Sequence, residues 1–157
     1  PRLRRQRGSF GDRATRMSAD ETALAAANLG FYRALEARSL SAMDLVWAHS
    51  EDASCVHPGW HRLDGWDEIR RSWQNIFASS RPWTVACVDV RLEVQGDIGW
   101  VRCVEVMRPF GATEEDEPAR MQATNVFVRD ETQWRMIHHH ASASPDESGE
   151  DEDEQIN

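Results

Sequence analysis

Apolar residues at Leu24, Ala27, Phe31 and Leu35 recur at the spacing of one helical face. Ser18-Ala19-Asp20-Glu21 just before them has the form of a capping box, with Ser18 as N-cap and Glu21 at the third helical position. The pattern predicts a helix from about Ala19 to about Arg38, then a shorter one capped by Ser39 or Ser41 and carrying Met43, Val46 and Trp47. Ala53 to His57 reads as a short strand stopped by Pro58-Gly59, because the residue before a proline favours extended backbone. Asp64-Gly65 reads as a turn, and Trp66 to Ala78 as a third amphipathic helix with Ile69, Trp73, Ile76 and Phe77 on one side. After Pro82 the period falls to two: Val88, Val90, Leu92 and Val94 alternate with polar residues, as in a half-buried strand. Further strands are expected at Trp100 to Met107, Met121 to Val128 and Trp134 to Ser142, with an acidic loop over Gly111 to Pro118. Helices followed by a meander of strands make an α+β domain.

Composition sharpens this picture in three places. Seven Trp against one Tyr point to a bulky core, an aromatic-lined pocket or a buried interface. The net charge of −9 is unevenly spread: six Arg fall in the first 16 residues, and seven acids in the last 13. An acidic folded domain repels the phosphate backbone, so no nucleic-acid partner is expected. The boundaries follow: an Arg-rich flexible leader over residues 1–17, the domain over 18–145, and an acidic disordered tail over 146–157. Met17 reads as a functional start, with residues 1–16 as leader or foreign extension. Cys55, Cys87 and Cys103 form no CxxC pair and suit free thiols in a reducing cytoplasm. No apolar run approaches ~18 residues, so no membrane partner is expected. No phosphate-binding glycine loop, nucleophile elbow or redox signature is visible, and no cofactor is expected.

The segments FYRALEARSLSAMDLVWAHSEDASCVHPGW, GWDEIRRSW, GDIGWVRCVE, ATNVFVRD and QWRMIHHHAS, in that order, resemble SnoaL-like proteins of the nuclear-transport-factor-two-like superfamily. The ketosteroid isomerases and the association domain of calcium/calmodulin-dependent kinase II look like relatives. The resemblance implies a cone-shaped, cystatin-like fold: a bent antiparallel sheet wrapped round a long N-terminal helix, a pocket at the open end, and a homodimer through the outer sheet face.

The resemblance also implies site positions. His57, in SCVHP, stands where the isomerases place their general-base Asp, and an imidazole can accept a proton near neutral pH. Asn125, in ATNVF, stands where they place an acidic oxyanion donor, and an amide donates without pKa tuning. Phe31 occupies the position of their oxyanion Tyr, with Tyr32 about 100° round the helix, so their mechanism is not expected to carry over unchanged. The family's strand phase implies that Ile137, His139 and Ala141 line the pocket, leaving His138 and His140 outside. Adjacent strand residues face opposite ways, so the three-histidine run cannot close on one ion, and no metal is expected.

Glu105 is an acid in an apolar strand. It invites either a His57 or His139 partner, making an acid–base dyad, or a salt bridge to Arg102 or Arg135. Trp47, Trp73 and Phe77 are expected as pocket walls and Trp60 on a rim loop, while Trp100 and Trp134 are expected outside the cone. Catalytic candidates are thus His57, Asn125, Glu105 and His139; ligand contacts are Trp47, Trp73, Phe77, Phe31 and Trp60. Two functions remain open. One is an isomerase, cyclase or dehydratase performing acid–base chemistry on an apolar carbonyl compound, its small-molecule ligand unidentified. The other is a non-catalytic ligand-binding or association module. Kinase association domains hold carboxylates with pocket arginines, and here Asn125 and Ala141 stand at those positions.

Overall fold

The computed structural model describes residues 16–144, so nearly all of the Arg-rich leader and the whole acidic tail lie outside the described residues. Helix α1 spans Ala19–Glu36, and its capping box forms as the sequence predicts: Ser18 Oγ accepts from Glu21 N, and Ser18 N donates to the Glu21 carboxylate. Helix α2 spans Leu40–Val46 with Ser39 as its cap, and α3 spans Trp66–Ser79. Strands β1 (Ser54–Val56) and β2 (Leu63–Asp64) lie between α2 and α3. Strands β3 (Trp83–Gln95), β4 (Ile98–Pro109), β5 (Ala119–Asp130) and β6 (Gln133–Ala143) follow α3. Among the described residues, no helix is long and apolar enough to cross a membrane.

One sheet runs in the order β2-β1-β6-β5-β4-β3. The last four strands form the antiparallel meander read from the sequence, while β1 adds parallel to β6. The chain reaches that parallel join only after β2, α3 and the three strands β3 to β5, since a parallel pair needs a long connection. The two-residue strand β2, pairing Leu63 and Asp64 with β1, sits where only a turn is expected.

Helix α1 lies across the inner face of this sheet. It buries Leu24, Asn28, Phe31, Tyr32 and Leu35, a wider stripe than the apolar positions alone outline. A Cβ on Gly99 of β4 would come within 2.7 Å of Leu24 Cδ2, so the helix seats on bare backbone there.

Two bulges correct the strand phases. In β3 the register slips between Val88 and Arg91, with Asp89 at φ 48°. Val85 and Cys87 therefore face inward before the slip, and Leu92 and Val94 after it. Val88 and Val90, expected on the buried face, are exposed. On β6, Val126 pairs with His138 but Phe127 with Met136, leaving Ile137 as the extra residue. Trp134 and Met136 face inward before it, His139 and Ala141 after it. Trp134 is thus buried in the core rather than outside the cone, with the Arg129 guanidinium 4.6 Å above its ring.

Candidate functional site

The strand phases bring four polar side chains to the inner face of the sheet. His57 ends β1, Glu105 lies in β4, Asn125 in β5 and His139 in β6, and each is no more than 3% exposed. Asn125 and His139 are cross-strand partners, and His139 Nδ1 meets Asn125 Oδ1 at 2.6 Å. An amide oxygen only accepts, so Nδ1 carries the proton and Nε2 is left with its lone pair. That Nε2 lies 3.9 Å from Glu105 Oε1.

Helix α1 supplies two members that sequence reasoning missed. Asn125 Nδ2 donates to Asn28 Oδ1 at 2.8 Å and to the Tyr32 hydroxyl at 3.1 Å. The Tyr32 hydroxyl in turn donates to Glu105 Oε1 at 2.9 Å and contacts Cys103 Sγ at 3.2 Å. Although Phe31 fills the position of the isomerase Tyr, an inward hydroxyl is therefore present, carried by the next residue. Asn28 and Tyr32, four apart and both polar on a helix crossing an apolar sheet, were the available signal. Glu105's partners are Tyr32 and His139; Arg102, one of its expected alternatives, pairs with Glu93 instead.

His57 has its own partner. Ser72 Oγ donates to Ile69 O at 2.7 Å and lies 2.8 Å from His57 Nε2. The serine's single proton is committed to the carbonyl, so Nε2–H donates to Ser72 and Nδ1 keeps its lone pair, with the Cys55 thiol 3.9 Å away. Ser72, also absent from the expected set, thereby fixes the tautomer of His57.

Burial sets the charge state. It pushes Glu105 up to about 7, partly offset by the hydrogen bond from Tyr32. It pulls His57 down to about 4, and His139 to about 3 with a further contribution from the neighbouring histidines. Burial likewise holds the Tyr32 hydroxyl protonated. At neutral pH both histidines are uncharged proton acceptors, while Glu105 populates both its forms.

Aromatic rings enclose these groups. Phe31 lies 4.8 Å from His139; Trp73 lies 4.5 Å from His57, 6.2 Å from His139 and 5.8 Å from Phe77. Trp60, 47% exposed, sits edge-on to His57 at 4.9 Å on the turn made by Pro58-Gly59. Trp47 is placed elsewhere: it stacks on Trp66, and its indole joins the core between α2 and α3. Of the three consecutive histidines only His139 points inward; His138 binds Ser54 Oγ at 2.7 Å and His140 is exposed. Among the described residues, no group of three or more His, Cys, Asp or Glu side chains converges closely enough to hold a metal ion. Two concavities lie away from the interior. One, of about 440 Å³, is on the outer sheet face beside Arg91, Arg102 and His140; the other, of about 540 Å³, is at the start of α3.

A family model described as the SnoaL-like domain matches residues 24–147. The chain is 28% identical over 120 residues to the F-box protein SKIP8 of Arabidopsis thaliana, covering 76% of this chain and 49% of that protein. It thus spans about half the length of this curated relative. Among solved structures, it resembles a candidate dehydratase of the NTF2-like family from Streptomyces avermitilis. That match has 32% identity and a TM-score of 0.73 over 80% of this chain and 96% of the other. It also resembles a candidate calcium/calmodulin-dependent protein kinase type II association domain from Thiobacillus denitrificans, at 33% identity and a TM-score of 0.70 over 77% and 94%.

Proposed function

The chain belongs to the SnoaL-like domain family, and from that premise we propose that its buried polar interior is an acid–base site acting on a small, apolar carbonyl compound. One observation carries this reading: a carboxyl group held near pH 7 and two uncharged imidazoles share a single aromatic-walled interior. Groups whose proton affinities have been driven apart can divide the acid and base roles. His57, through its unprotonated Nδ1, takes a proton from the carbon next to the carbonyl. Protonated Glu105 returns a proton elsewhere on the molecule, which gives isomerisation, or to a departing hydroxyl, which gives dehydration. The His57 proton then restores Glu105, so no external acid, base or cofactor is consumed. Asn125 and the Tyr32 hydroxyl hold Glu105 and His139 in place. Trp60 covers His57, and ligand entry needs its turn to swing outward.

Activity requires neutral His57 and protonated Glu105. It should therefore be lost as pH falls through about 4 and as pH rises through about 7. The experiment is a thermal-shift screen with cyclic enones and β-hydroxyketones. A ligand at 100 times its Kd stabilises the fold by ~2.7 kcal/mol. Turnover of the hits is then followed by enone absorbance in the wild type, His57→Ala and Glu105→Gln. Undiminished turnover in both variants sinks the mechanism.

The outer sheet face supports a second, compatible role. Val88 is exposed there opposite Val104, with Trp100 further along the same strand, and we infer that two copies pair through this face. A strict monomer by light scattering at micromolar concentration would remove that role.

A further inference from the structure

The indole N–H of Trp73 is fully buried and meets no acceptor among the described residues. Native interiors pair nearly all such donors, so an orphan beside a polar site needs a physical account. Trp73 lies in the middle of α3, and its ring sits among the aromatic and histidine side chains of the interior. It is edge-on to His57 at 4.5 Å and to Phe31 at 5.9 Å, stacks on Phe77 at 5.8 Å, and lies 6.2 Å from His139. The nearby polar side chains are already engaged: His57 with Ser72, and His139 with Asn125. Two other indoles, of Trp47 and Trp83, also lack partners. Trp47 stacks on Trp66, and the ring of Trp83 lies under the Arg38 guanidinium, so neither abuts the histidines.

We propose that the Trp73 indole N–H is the anchoring donor for the ligand's oxygen, and that the interior therefore selects an uncharged carbonyl compound over its carboxylate or hydrocarbon counterparts. The proposal rests on reading the interior as a ligand site. An indole N–H donates and cannot accept, so it suits a carbonyl oxygen and not an ammonium or another N–H. In this buried site the new bond satisfies an unmet donor, and it forms without displacing an existing protein–protein hydrogen bond. A carboxylate would enter among two uncharged imidazoles with no guanidinium among their contacts, and beside a Glu105 that would resist ionising. Holding the oxygen on Trp73 keeps the carbonyl close to the His57 ring, whose unprotonated Nδ1 is the base.

Trp73 is thus a positioning residue, and its test needs a readout that packing alone would not move. Protein labelled with ¹⁵N at its indole nitrogens is titrated with 2-cyclohexenone, cyclohexene and cyclohexanecarboxylate. The Trp73 resonance is assigned by its through-space contacts to His57. The expected result is a downfield shift of the Trp73 indole N–H with 2-cyclohexenone and none with the other two. In Trp73→Phe, which keeps the ring, the Kd for 2-cyclohexenone should rise about tenfold. The titration uses the wild-type protein, so it stands even if the variant does not fold. If His57 resonances respond to 2-cyclohexenone while the Trp73 N–H stays still, the anchor is refuted and the acid–base reading survives. If no interior resonance responds to any probe, both fall together.

Discussion

Replacing Glu105 by Gln isolates the energy stored in one buried carboxyl. The side chain is 3% exposed and accepts from Tyr32, and burial raises its proton affinity from the ordinary 4.5 to about 7. A folded-state value above the unfolded one means that folding takes up a proton between those two limits. The resulting stabilisation is complete below pH 4.5 and is lost as pH rises through about 7. At ~1.4 kcal/mol for each tenfold change in proton affinity, the whole effect is about 3 kcal/mol, most of which disappears between pH 5 and pH 8. His57 and His139 act in the opposite sense: their depressed values make stability fall as pH drops below 6.5. Those contributions are common to wild type and variant, so they cancel in the difference. Glutamine stays neutral throughout, and its imperfect fit against Tyr32 adds a constant offset. Urea unfolding of both proteins at pH 5 and pH 8 should therefore show the variant gaining about 2–3 kcal/mol relative to wild type at the higher pH. With a urea slope of roughly 1–3 kcal/mol per molar, the relative midpoint moves by about 1–3 M. A stability difference that stays constant within ~0.5 kcal/mol across that range would show that the carboxyl ionises as freely in the folded protein as in water.

Two further substitutions probe the scaffold beneath the site. Asn125→Ala removes the hub shared by Asn28, Tyr32 and His139 and leaves buried polar atoms unpaired, so chemical denaturation should show a loss of about 3 kcal/mol. A loss below ~1 kcal/mol would mean that water replaces the amide. Gly99→Ala drives a methyl to 2.7 Å from Leu24, itself fully buried, and should cost about 1–3 kcal/mol. Adding Leu24→Val should recover part of that loss, and additive effects of the two changes would exclude the contact as its cause.

Local pattern determined the elements. The Ser18–Glu21 box, the apolar spacing on α1 and α3, and the alternation in the later strands depend on neighbours a few residues away, and each element formed within a few residues of expectation. The resemblance carried in those segments pointed to His57, Asn125 and His139, and an acid in an apolar strand pointed to Glu105; all four lie in one interior. What single-strand periodicity could not carry was anything set by a partner strand. The bulges beside Asp89 and Ile137 each shift the alternation by one residue. They expose Val88 and Val90, and turn Trp134 inward, because register is decided by pairing across the sheet. The same holds for the site's chemistry. Tyr32 reads from its helical angle as a neighbour of the functional face, yet α1 is so deeply enclosed that its hydroxyl reaches Glu105 and Asn125. Ser72 has no local signature at all, and the i, i+4 spacing of Asn28 and Tyr32 marks a polar pair on α1 without saying what it meets. The roles of Ser72 and Asn28 come from the residues that packing sets opposite them, 15 and 97 positions away in the chain, and only the tertiary structure makes those pairs neighbours.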